Sequence, residues 1–462
     1  MAYTPHTPKD TAEMLSTLGL SSVNDLFACI PEKIRLQRPL DIPAIRSEAE
    51  ILREFEGFAE KNRAGSPSFL GAGCYRRFIP AAVDYLSGRG EFNTAYTPYQ
   101  PEVSQGTLQA IFEYQSMICR LTGMDISNAS MYEGATALAE AVLMSYAVSS
   151  KGTEVIVSEG VHPHYREVLE TYLAQHPVEL RTLPLRNGQT SADEVAEALT
   201  DQTLAVVLQN PNFFGVIEDG LAISTVLDGL KERPFFIAVT DPISLAVLKP
   251  PGEYGADIAV GEGQQLGNYP SYGGPSFGFF ATRMAHVRKL PGRVVGETTD
   301  REGKCGYVLT FQTREQHIRR EKATSNICTN QGLCCLRGAI YMALMGETGL
   351  RAVAETSTRK AHYAHSQLTR ITGVSPVYNE PFFHEFAVEL PLPAETVYAS
   401  LQEANVGAGL PLGRVLPDRD HQMLFAFTEL NTTGEIDALA AHLGQLVATA
   451  DTREKVASGE RP

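Results

Sequence analysis

The sequence is short of basic residues. It has 39 Lys and Arg against 54 Asp and Glu, which gives a formal net charge of −15 at pH 7. An acidic surface repels phosphate backbones, so we expect no nucleic-acid partner. Small-molecule chemistry and a protein partner are both compatible with this charge.

Metal-binding cysteine motifs and long apolar runs are also missing. The seven cysteines form no CxxC motif, so neither a zinc ribbon nor a thioredoxin-type pair is predicted. No stretch approaches the about 18 apolar residues that a membrane span needs. Met1 is followed by Ala-Tyr-Thr-Pro-His without a basic region and apolar run, so no secretory signal is expected. We therefore expect a cytoplasmic protein with reduced thiols and no membrane partner.

The chain is predicted to begin with a helical arm. Within residues 1–68, Ser21–Phe27 and Ile45–Ala59 have helical spacing, and a Gly-Ser-Pro sequence ends the segment. The arm has too little apolar surface to fold alone, so we expect it to pack on something else.

Residues 69–320 alternate between amphipathic helices and short apolar runs rich in β-branched residues. This alternation predicts a large α/β domain with a mostly parallel sheet flanked by helices, and ligands at the carboxyl ends of its strands. The predicted helices are Gly106–Thr122, Ala135–Val148, Tyr165–Gln175 and Asp219–Lys231. The predicted strands are Glu154–Ser158, Leu180–Pro184, Leu204–Gln209, Phe235–Thr240, Asp257–Val260 and Ser276–Ala281.

Residues 321–450 have a different pattern, which predicts a smaller α+β domain. Residues 451–462 are polar, and we expect a frayed tail there. The predicted helices are 331–345, 350–371, 394–405 and 434–448, and the predicted strands are Phe383–Leu390 and Met423–Thr428.

Two predicted strand-to-helix connections could bind an anion or a planar ring. Gly134, Ala135 and Thr136 open a helix, whose free N–H groups and dipole favour a phosphate; an ordinary capped helix start is the alternative. His162 follows a strand and could stack on a cofactor ring or move protons, or it could be a plain loop residue. His164 makes a His-x-His pair, but no third ligand follows at motif spacing, so no metal site is predicted.

Two further strand ends carry polar side chains. Asn210 and Asn212 could hydrogen-bond a ligand, although Asn-Pro turns are common without one. Asp241 ends an apolar strand, and a buried carboxylate there needs a partner such as a protonated ring nitrogen. A turn or helix-capping role is the alternative for this aspartate.

The loop from Gly255 to Pro275 carries the most information. Its order of Ala-Asp-Ile, a polar loop, Pro and Gly-Gly after the strand-ending Asp241 resembles fold-type I pyridoxal-phosphate enzymes. In the cofactor-bearing chains of that class, the polar loop contains the lysine that bonds the cofactor. Here the corresponding residue is Gln265, and no lysine occurs between Lys249 and Lys289. An amide cannot form a Schiff base, because its nitrogen lone pair is delocalised into the carbonyl.

Longer strings narrow the resemblance to one family. They are Phe69–Pro80 (FLGAGCYRRFIP), Thr94–Gly106 (TAYTPYQPEVSQG), Asn128–Glu140 (NASMYEGATALAE) and Arg320–Gln331 (REKATSNICTNQ). Together they resemble the first subunit of glycine dehydrogenase (decarboxylating), the P-protein of the glycine cleavage system, over nearly the whole chain.

The resemblance implies a fold-type I PLP-transferase-like fold and an incomplete enzyme. In that family a lysine-bearing second subunit holds pyridoxal phosphate covalently and pairs with a lysine-free subunit as a heterotetramer with two copies of each. Glycine is decarboxylated at a site between subunits, and its aminomethyl group passes to the lipoyl group of the H-protein. Gly134, Ala135, Thr136, His162 and Asp241 would then be remnants of a cofactor site.

The resemblance also suggests which residues reach the partner's site. Tyr96, Tyr99 and Gln100 are the best candidates, because a proline between the two tyrosines would fix their hydroxyls; ordinary loop packing is the alternative. The candidates for glycine binding are Arg76, with the neighbouring Arg77 as an equivalent choice, Asn210, Ser325 and Asn326. The last two could instead cap a helix beginning near Ile327.

Two other functions stay open on the sequence alone. The chain could be a self-sufficient pyridoxal-phosphate lyase or transaminase that uses Lys249, although this residue precedes the usual loop. Alternatively, it could be a non-catalytic scaffold that stabilises its partner.

Overall fold

The computed structural model describes residues 6–62, 65–93, 97–149 and 152–457, with side chains as far as residue 450. By its internal contacts the chain divides into two compact units, Met1–Ala64 and Gly65–Pro462. The predicted domain boundaries inside the second unit stay predictions, because residues 65–462 are not divided further.

The first unit is helical. It contains α1 (Pro8–Thr17), α2 (Glu48–Ala59) and two short 3₁₀ turns, Val23–Phe27 and Glu32–Ile34. The helix predicted from Ile45 begins at Glu48 because Ser47 caps it: Ser47 and Glu50 hydrogen-bond each other's backbone N–H groups. None of the described residues 6–62 is buried.

A seven-stranded sheet forms the centre of the second unit. Its strands are β1 (Ile126–Ser127), β2 (Glu154–Ser158), β3 (Glu179–Leu183), β4 (Thr203–Asn210), β5 (Phe235–Thr240), β6 (Ile258–Glu262) and β7 (Gly278–Thr282). They lie in the order β1-β7-β6-β5-β4-β2-β3. The strands from β2 to β6 are parallel, whereas β7 runs antiparallel to β6 and β1 antiparallel to β7. The predicted mostly parallel α/β sheet is confirmed.

Within the described residues, six α-helices lie between the start of the second unit and β7. They are α3 (Ala81–Ser87), α4 (Gln105–Thr122), α5 (Gly134–Val148), α6 (Pro163–Leu173), α7 (Ala192–Ala198) and α8 (Gly220–Asp228). Two apolar clusters enclose the sheet. Residues that alternate along one strand divide between them, as Ile156 and Val157 of β2 do. This division explains why the strands read as continuous apolar runs.

A two-stranded hairpin follows the sheet and was not among the predicted elements. It consists of β8 (Val294–Thr299) and β9 (Cys305–Thr310), and the short helix α9 (Gln316–Arg319) comes after it. The outer half of β8 is exposed, so its sequence lacks the apolar run that marked the buried strands.

The C-terminal part contains a four-stranded sheet with its own apolar core. Its helices are α10 (Gly332–Leu368), α11 (Ala394–Glu403) and α12 (Thr433–Ala457), and its strands β10 (Ser375–Pro376), β11 (Glu385–Glu389), β12 (Leu410–Pro411) and β13 (Gln422–Ala426) are antiparallel. The two helices predicted before this sheet are joined through a kink at Gly346.

The last helix also differs from its predicted end. It continues to Ala457 and so includes residues 451–457 of the segment expected to fray. Alanine, glutamate and lysine in this stretch favour a helix. Within the described residues, no helix is long and apolar enough to cross a membrane.

Candidate functional site

The carboxyl ends of β2, β4, β5 and β6 meet at a small cavity. Its volume is about 50 Å³, and Gly73, Tyr75, Tyr165 of α6 and Glu385 at the start of β11 also line it. Small-molecule sites usually enclose about 300–1,000 Å³. The cavity therefore has room for water but not for a ring-bearing cofactor.

Gln265 lines this cavity, and both the nitrogen and the oxygen of its side-chain amide form hydrogen bonds. The side chain is buried, and its Nε2 donates to Asp241 Oδ2 at 2.7 Å. Its Oε1 accepts two hydrogen bonds from Arg77, from Nε at 2.9 Å and Nη2 at 2.6 Å. The Arg77 guanidinium also donates to Ser357 at 2.7 Å and pairs with Glu429 at 2.9 Å. Gln265 is thus a fixed link in a buried polar network.

Asp241 has both carboxylate oxygens engaged. Oδ1 accepts from the backbone N–H groups of Ile243 and Ser244, which is the turn-capping role proposed as the alternative. Oδ2 accepts from Gln265 and from His384 Nε2 at 3.2 Å. Burial alone would raise the pKa of Asp241, but the hydrogen bonds and positive charge around it lower that pKa to about 2. The carboxylate is ionised, and its partners come from this chain.

The start of α5 is occupied by carboxylates of the same chain. Gly134 N donates to Glu262 Oε2 at 3.0 Å, whereas Ala135 N and Thr136 N donate to Glu133 at 2.6 and 2.9 Å. These are the N–H groups predicted to hold a phosphate. A phosphate would have to displace two acidic groups, so the arrangement disfavours an anionic ligand.

Glu262 binds the polar loop as well as the helix. Its Oε1 accepts from Gln264 N at 2.9 Å and from the Ser276 hydroxyl. Burial raises the pKa of Glu262 to about 7. Gln264 in turn exchanges hydrogen bonds with the backbone of Tyr75, so the loop after β6 is bound to the segment before α3.

His162 lines the cavity as a neutral ring. Its Nδ1 accepts from His164 N at 3.1 Å, so the proton is on Nε2, which lies 3.0 Å from Ala72 O and donates to it. Burial lowers the pKa of His162 to about 4. Its ring centroid lies 4.9 Å from that of Phe213, in an edge-on contact. Both ring nitrogens are engaged, and the residue caps α6.

Tyr75 and Glu385 close the cavity from the side of the C-terminal sheet. The Tyr75 hydroxyl donates to Glu385 Oε2 at 2.7 Å, and Ala72 N donates to Oε1 at 2.7 Å. Burial raises the pKa of Glu385 to about 7. Neither residue was singled out from the sequence.

Asn210 and Asn212 stabilise a turn. Asn210 exchanges hydrogen bonds with the backbone of Glu218, and Asn212 Nδ2 donates to Gly188 O and to the Glu218 carboxylate. Asn212 Oδ1 accepts from Phe214 N and Val216 N. A ligand would compete with these bonds, so the substrate-binding role of Asn210 stays a prediction.

Other predicted residues lie away from the cavity. Tyr99 and Gln100 are exposed in the segment before the 3₁₀ turn Pro101–Val103, and the Tyr99 hydroxyl accepts from Arg293. Tyr96 lies outside the described residues. Arg76 is exposed and donates to Ser66 O at 3.3 Å.

The prediction of a helix that begins near Ile327 is wrong. The segment Ala323–Gln331 is irregular and α10 begins at Gly332, so Ser325 and Asn326 do not cap a helix. The Ser325 hydroxyl instead accepts from Ile327 N at 3.1 Å and contacts the buried Glu140. Local turn formation by serine explains why the cap signal misled the prediction.

The residues around the cavity do not fit covalently bound pyridoxal phosphate. No lysine lines it among the described residues, and Lys249, the alternative, is exposed and outside it. Gln265 and His384 occupy the carboxylate of Asp241, whereas Glu133 and Glu262 occupy the start of α5. We therefore derive no reaction step through a cofactor held here. The described residues also contain no group of three or more His, Cys, Asp or Glu side chains able to hold a metal.

Comparison with known proteins gives one consistent family. The family model described as glycine cleavage system P-protein matches residues 1–443. The chain is 50% identical over 448 residues to a probable glycine dehydrogenase (decarboxylating) subunit 1 of Moorella thermoacetica, covering 97% of this chain and 100% of that relative. The corresponding protein of Chlorobium phaeobacteroides is 50% identical over 450 residues, covering 96% of this chain and 100% of that relative.

Solved structures agree with this result. A crystal structure of glycine decarboxylase (P-protein) of the glycine cleavage system, in inhibitor-bound form, superposes with a TM-score of 0.88 at 48% identity, covering 96% of this chain and 100% of that one. Glutamate decarboxylase of Lactobacillus brevis gives a TM-score of 0.67 at 13% identity, covering 92% and 97%, which shows a shared fold alone. The predicted fold of the pyridoxal-phosphate enzymes is confirmed, and the chain belongs to the glycine cleavage system P-protein family.

Proposed function

We propose that this chain is the lysine-free subunit of a two-subunit glycine dehydrogenase (decarboxylating). Its relatives carry the name of subunit 1 of that enzyme, which implies a second subunit. In this proposal the second subunit bears the lysine and holds pyridoxal phosphate covalently, and two copies of each subunit form a heterotetramer. The cofactor supplies the electron sink for loss of CO2 from glycine.

The state of Gln265 carries the proposal. A chain that bonded the cofactor itself would need an amine at this place and space beside it. Here an amide is held by Arg77 and Asp241 in a cavity of about 50 Å³. The Asp241 carboxylate and the Arg77 guanidinium satisfy the amide within this chain, which supports a source of the reacting groups in another polypeptide.

In this proposal the chain contributes its surface to the shared site. Tyr99 is 43% exposed, and its hydroxyl is held by a buried arginine, so it can present a fixed group to a neighbouring subunit. Tyr96, Gln100, Arg76, Ser325 and Asn326 remain candidates for contacts with glycine or with the lipoylated H-protein. The predicted anion site at the start of α5 is not part of the proposal, because Glu133 and Glu262 fill it.

Reconstitution tests the proposal directly. The chain would be purified alone and together with a lysine-bearing homologous subunit, and glycine–bicarbonate exchange would be measured with lipoylated H-protein. We expect exchange from the complex and none from this chain alone. Exchange catalysed by the isolated chain would contradict the proposal and favour the self-sufficient enzyme.

A tyrosine variant separates a contributing subunit from a scaffold. Tyr99→Phe in the complex should lower kcat/KM for glycine, mainly by raising KM, because the hydroxyl is lost without a change in packing. Tyr363→Phe is the matched control, since its hydroxyl donates to Asp437 at 2.6 Å on another part of the surface. If Tyr99→Phe retains full turnover and unchanged glycine dependence, the scaffold function is favoured instead.

A further inference from the structure

Tyr99 is fixed by a buried arginine. Arg293 is 5% exposed, and its Nη2 donates to the Tyr99 hydroxyl at 3.1 Å. The guanidinium carbon also lies 5.3 Å from the centroid of the Tyr99 ring. A hydrogen bond and a cation–π contact from one rigid group restrain both the hydroxyl and the ring of an otherwise half-exposed side chain.

Arg293 is itself held by neighbouring side chains. Its Nε lies 3.6 Å from Glu315 Oε2, and the same oxygen lies 3.4 Å from His317 Nδ1. The His317 ring makes an edge contact with the Tyr99 ring at 5.6 Å. Each of these four side chains therefore contacts two of the others. We name this group the Tyr99 cluster; it consists of Tyr99, Arg293, Glu315 and His317.

Three buried polar atoms beside this cluster lack a hydrogen-bond partner within the described part of the chain. They are Arg293 Nε, Arg314 Nε and Glu315 Oε1. All three residues line a single cavity of about 10 Å³. The two Nη atoms of Arg314 are already used, because they donate to Leu290 O and Gly292 O. A buried polar atom without a hydrogen-bond partner destabilises the fold, so three around one cavity indicate a bound molecule.

The hydrogen-bonding capacity of these atoms identifies that molecule. Two N–H donors and one carboxylate oxygen require a group that accepts twice and donates at least once, which a single water does. A chloride could accept from Arg293 and Arg314, but it cannot donate to Glu315 and would be repelled by its charge. The cavity volume also matches the about 10–15 Å³ that one water needs.

We infer that Arg293 is a positioning residue of the shared glycine site, which fixes the Tyr99 hydroxyl and is itself supported by one buried water that bridges Arg293, Arg314 and Glu315. The inference rests on the proposed function, because the task of Tyr99 at the partner subunit gives Arg293 its purpose. Arg293 is too buried to reach a neighbouring molecule, so it acts through Tyr99.

The test uses the reconstituted complex and a double-mutant cycle. Tyr99→Phe removes the hydroxyl, and Arg293→Lys keeps the charge but cannot hold Tyr99 and the water together. Each should lower kcat/KM for glycine by about tenfold, the effect of one lost charge-assisted hydrogen bond, mainly through KM. The double variant should be no worse than the more impaired single variant, since both changes remove one interaction.

Two further measurements keep the test decisive. Glu315→Gln leaves the volume unchanged and weakens the support of Arg293, so a smaller rise in KM is expected even if Arg293→Lys assembles poorly. A crystal structure that resolves ordered solvent should show one water among Arg293, Arg314 and Glu315.

A matched control and clear contrary outcomes complete the design. Arg414→Lys changes another arginine whose guanidinium carbon lies 4.0 Å from a tyrosine ring centroid, that of Tyr398, and it should leave KM unchanged. Additive effects of the two substitutions, an unchanged KM or an anion in the cavity would each overturn the inference. Failure of the wild-type chain to support exchange would instead overturn the proposed function.

Discussion

At position 265 an amide stands where the resemblance predicts a lysine in cofactor-bearing chains, and it is held by Arg77 and Asp241. Arg77 donates twice to the Gln265 oxygen, and a lysine there would place a second cation against the buried guanidinium. We predict that Gln265→Lys gives no visible absorbance of bound cofactor and no borohydride-trapped adduct when pyridoxal phosphate is added. The free energy of unfolding should fall by about 2–4 kcal/mol, because a buried charge loses its acceptor.

The double variant Arg77→Gln with Gln265→Lys serves as the comparison. Removing the guanidinium removes the repulsion between the two cations, so part of the lost stability should return. Cofactor binding should still be absent, since Glu133 and Glu262 occupy the start of α5. Stoichiometric cofactor bound by Gln265→Lys alone would show that the surrounding residues are not a barrier.

Several buried glutamates make the stability of the chain depend on pH. Burial raises the pKa values of Glu140, Glu218, Glu262 and Glu385 to about 7, against 4.5 for an ordinary glutamate. Between these two pH values the folded chain binds more protons than the unfolded chain. The free energy of unfolding should therefore fall as pH rises from about 4.5 to 7 and stay level above that range.

Glu385→Gln is predicted to weaken this pH dependence. The neutral amide keeps the volume, and the Tyr75 hydroxyl can accept a hydrogen bond where it now donates. A pKa difference of this size lowers the free energy of unfolding by up to about 3 kcal/mol as pH rises. The variant should not show this contribution between pH 5 and 8. Urea unfolding at several pH values measures the effect, and Glu297→Gln on the exposed half of β8 is the control. An unchanged slope for Glu385→Gln would contradict the assignment.

The residues of the site were only partly predictable from the sequence. Gln265, Asp241 and His162 follow strands directly, so their places at the sheet edge could be inferred from the order of the chain. Arg77 was named from the sequence only as a candidate for glycine, and His384 was not named. Their partners Gln265 and Asp241 lie 188 and 143 residues away, and no local pattern marks such a contact. Glu262 lies within the polar loop Gly255–Pro275, but that loop was considered only for the lysine that bonds the cofactor. The contact of Glu262 with the start of α5 was therefore not predicted.

At the scale of elements, burial determined which features the sequence revealed. The predicted bounds of β2 and β5 agree with the structure, because both strands are almost continuously buried. The hairpin of β8 and β9 was missed, since much of it is exposed and its sequence is less apolar. Helix ends shifted by a few residues where a side chain, such as Ser47, caps the first turn.

One close approach between elements can be tested with a pair of glycines. Gly215 follows β4 with φ of 83°, and a Cβ added there would lie 1.8 Å from Glu385 O in β11. Gly303 has φ of 80° in the turn between β8 and β9, where a Cβ would meet no described atom within 4 Å. An alanine at either position would therefore suffer the same backbone strain from its positive φ, about 1–2 kcal/mol. Only at Gly303 would its Cβ have free space.

We predict that Gly215→Ala is more destabilising than Gly303→Ala by about 1–3 kcal/mol, because the loop after β4 must move away from β11. Urea unfolding of the two variants gives the difference directly. Equal losses would mean that the strain of the backbone accounts for both and that the contact with β11 is easily relaxed.

At the scale of the whole molecule, the polar network around Gln265 joins distant parts of the second unit. Arg77 comes from its beginning, Gln265 and Asp241 from the central sheet, and His384 and Glu429 from the C-terminal part. A substrate site would need space that can open, whereas these contacts tie the segments together. In the proposed function, the surface of the chain rather than this cavity contributes to the reaction.

The first unit has many exposed apolar side chains. Apolar side chains of α2, including Phe55 and Phe58, are 64% and 50% exposed, and none of the described residues 6–62 is buried. Exposed apolar surface of this extent is typical of a contact with another protein. We predict that a chain lacking residues 1–64 keeps the thermal stability of residues 65–462 but binds the proposed lysine-bearing subunit at least tenfold more weakly.

Burial of a small part of that apolar surface is enough to account for the expected tenfold change in affinity. Burying one or two apolar side chains contributes about 1.5–3 kcal/mol each, and about 1.4 kcal/mol is a factor of ten in affinity. Calorimetry of the shortened chain and sedimentation of its mixture with the partner separate folding from association. Phe55→Ser with Phe58→Ser in the full chain should reproduce the weaker binding, whereas Glu56→Ser on the same helix should not. If the shortened chain binds normally but unfolds at a lower temperature, the arm stabilises its own chain instead of the assembly.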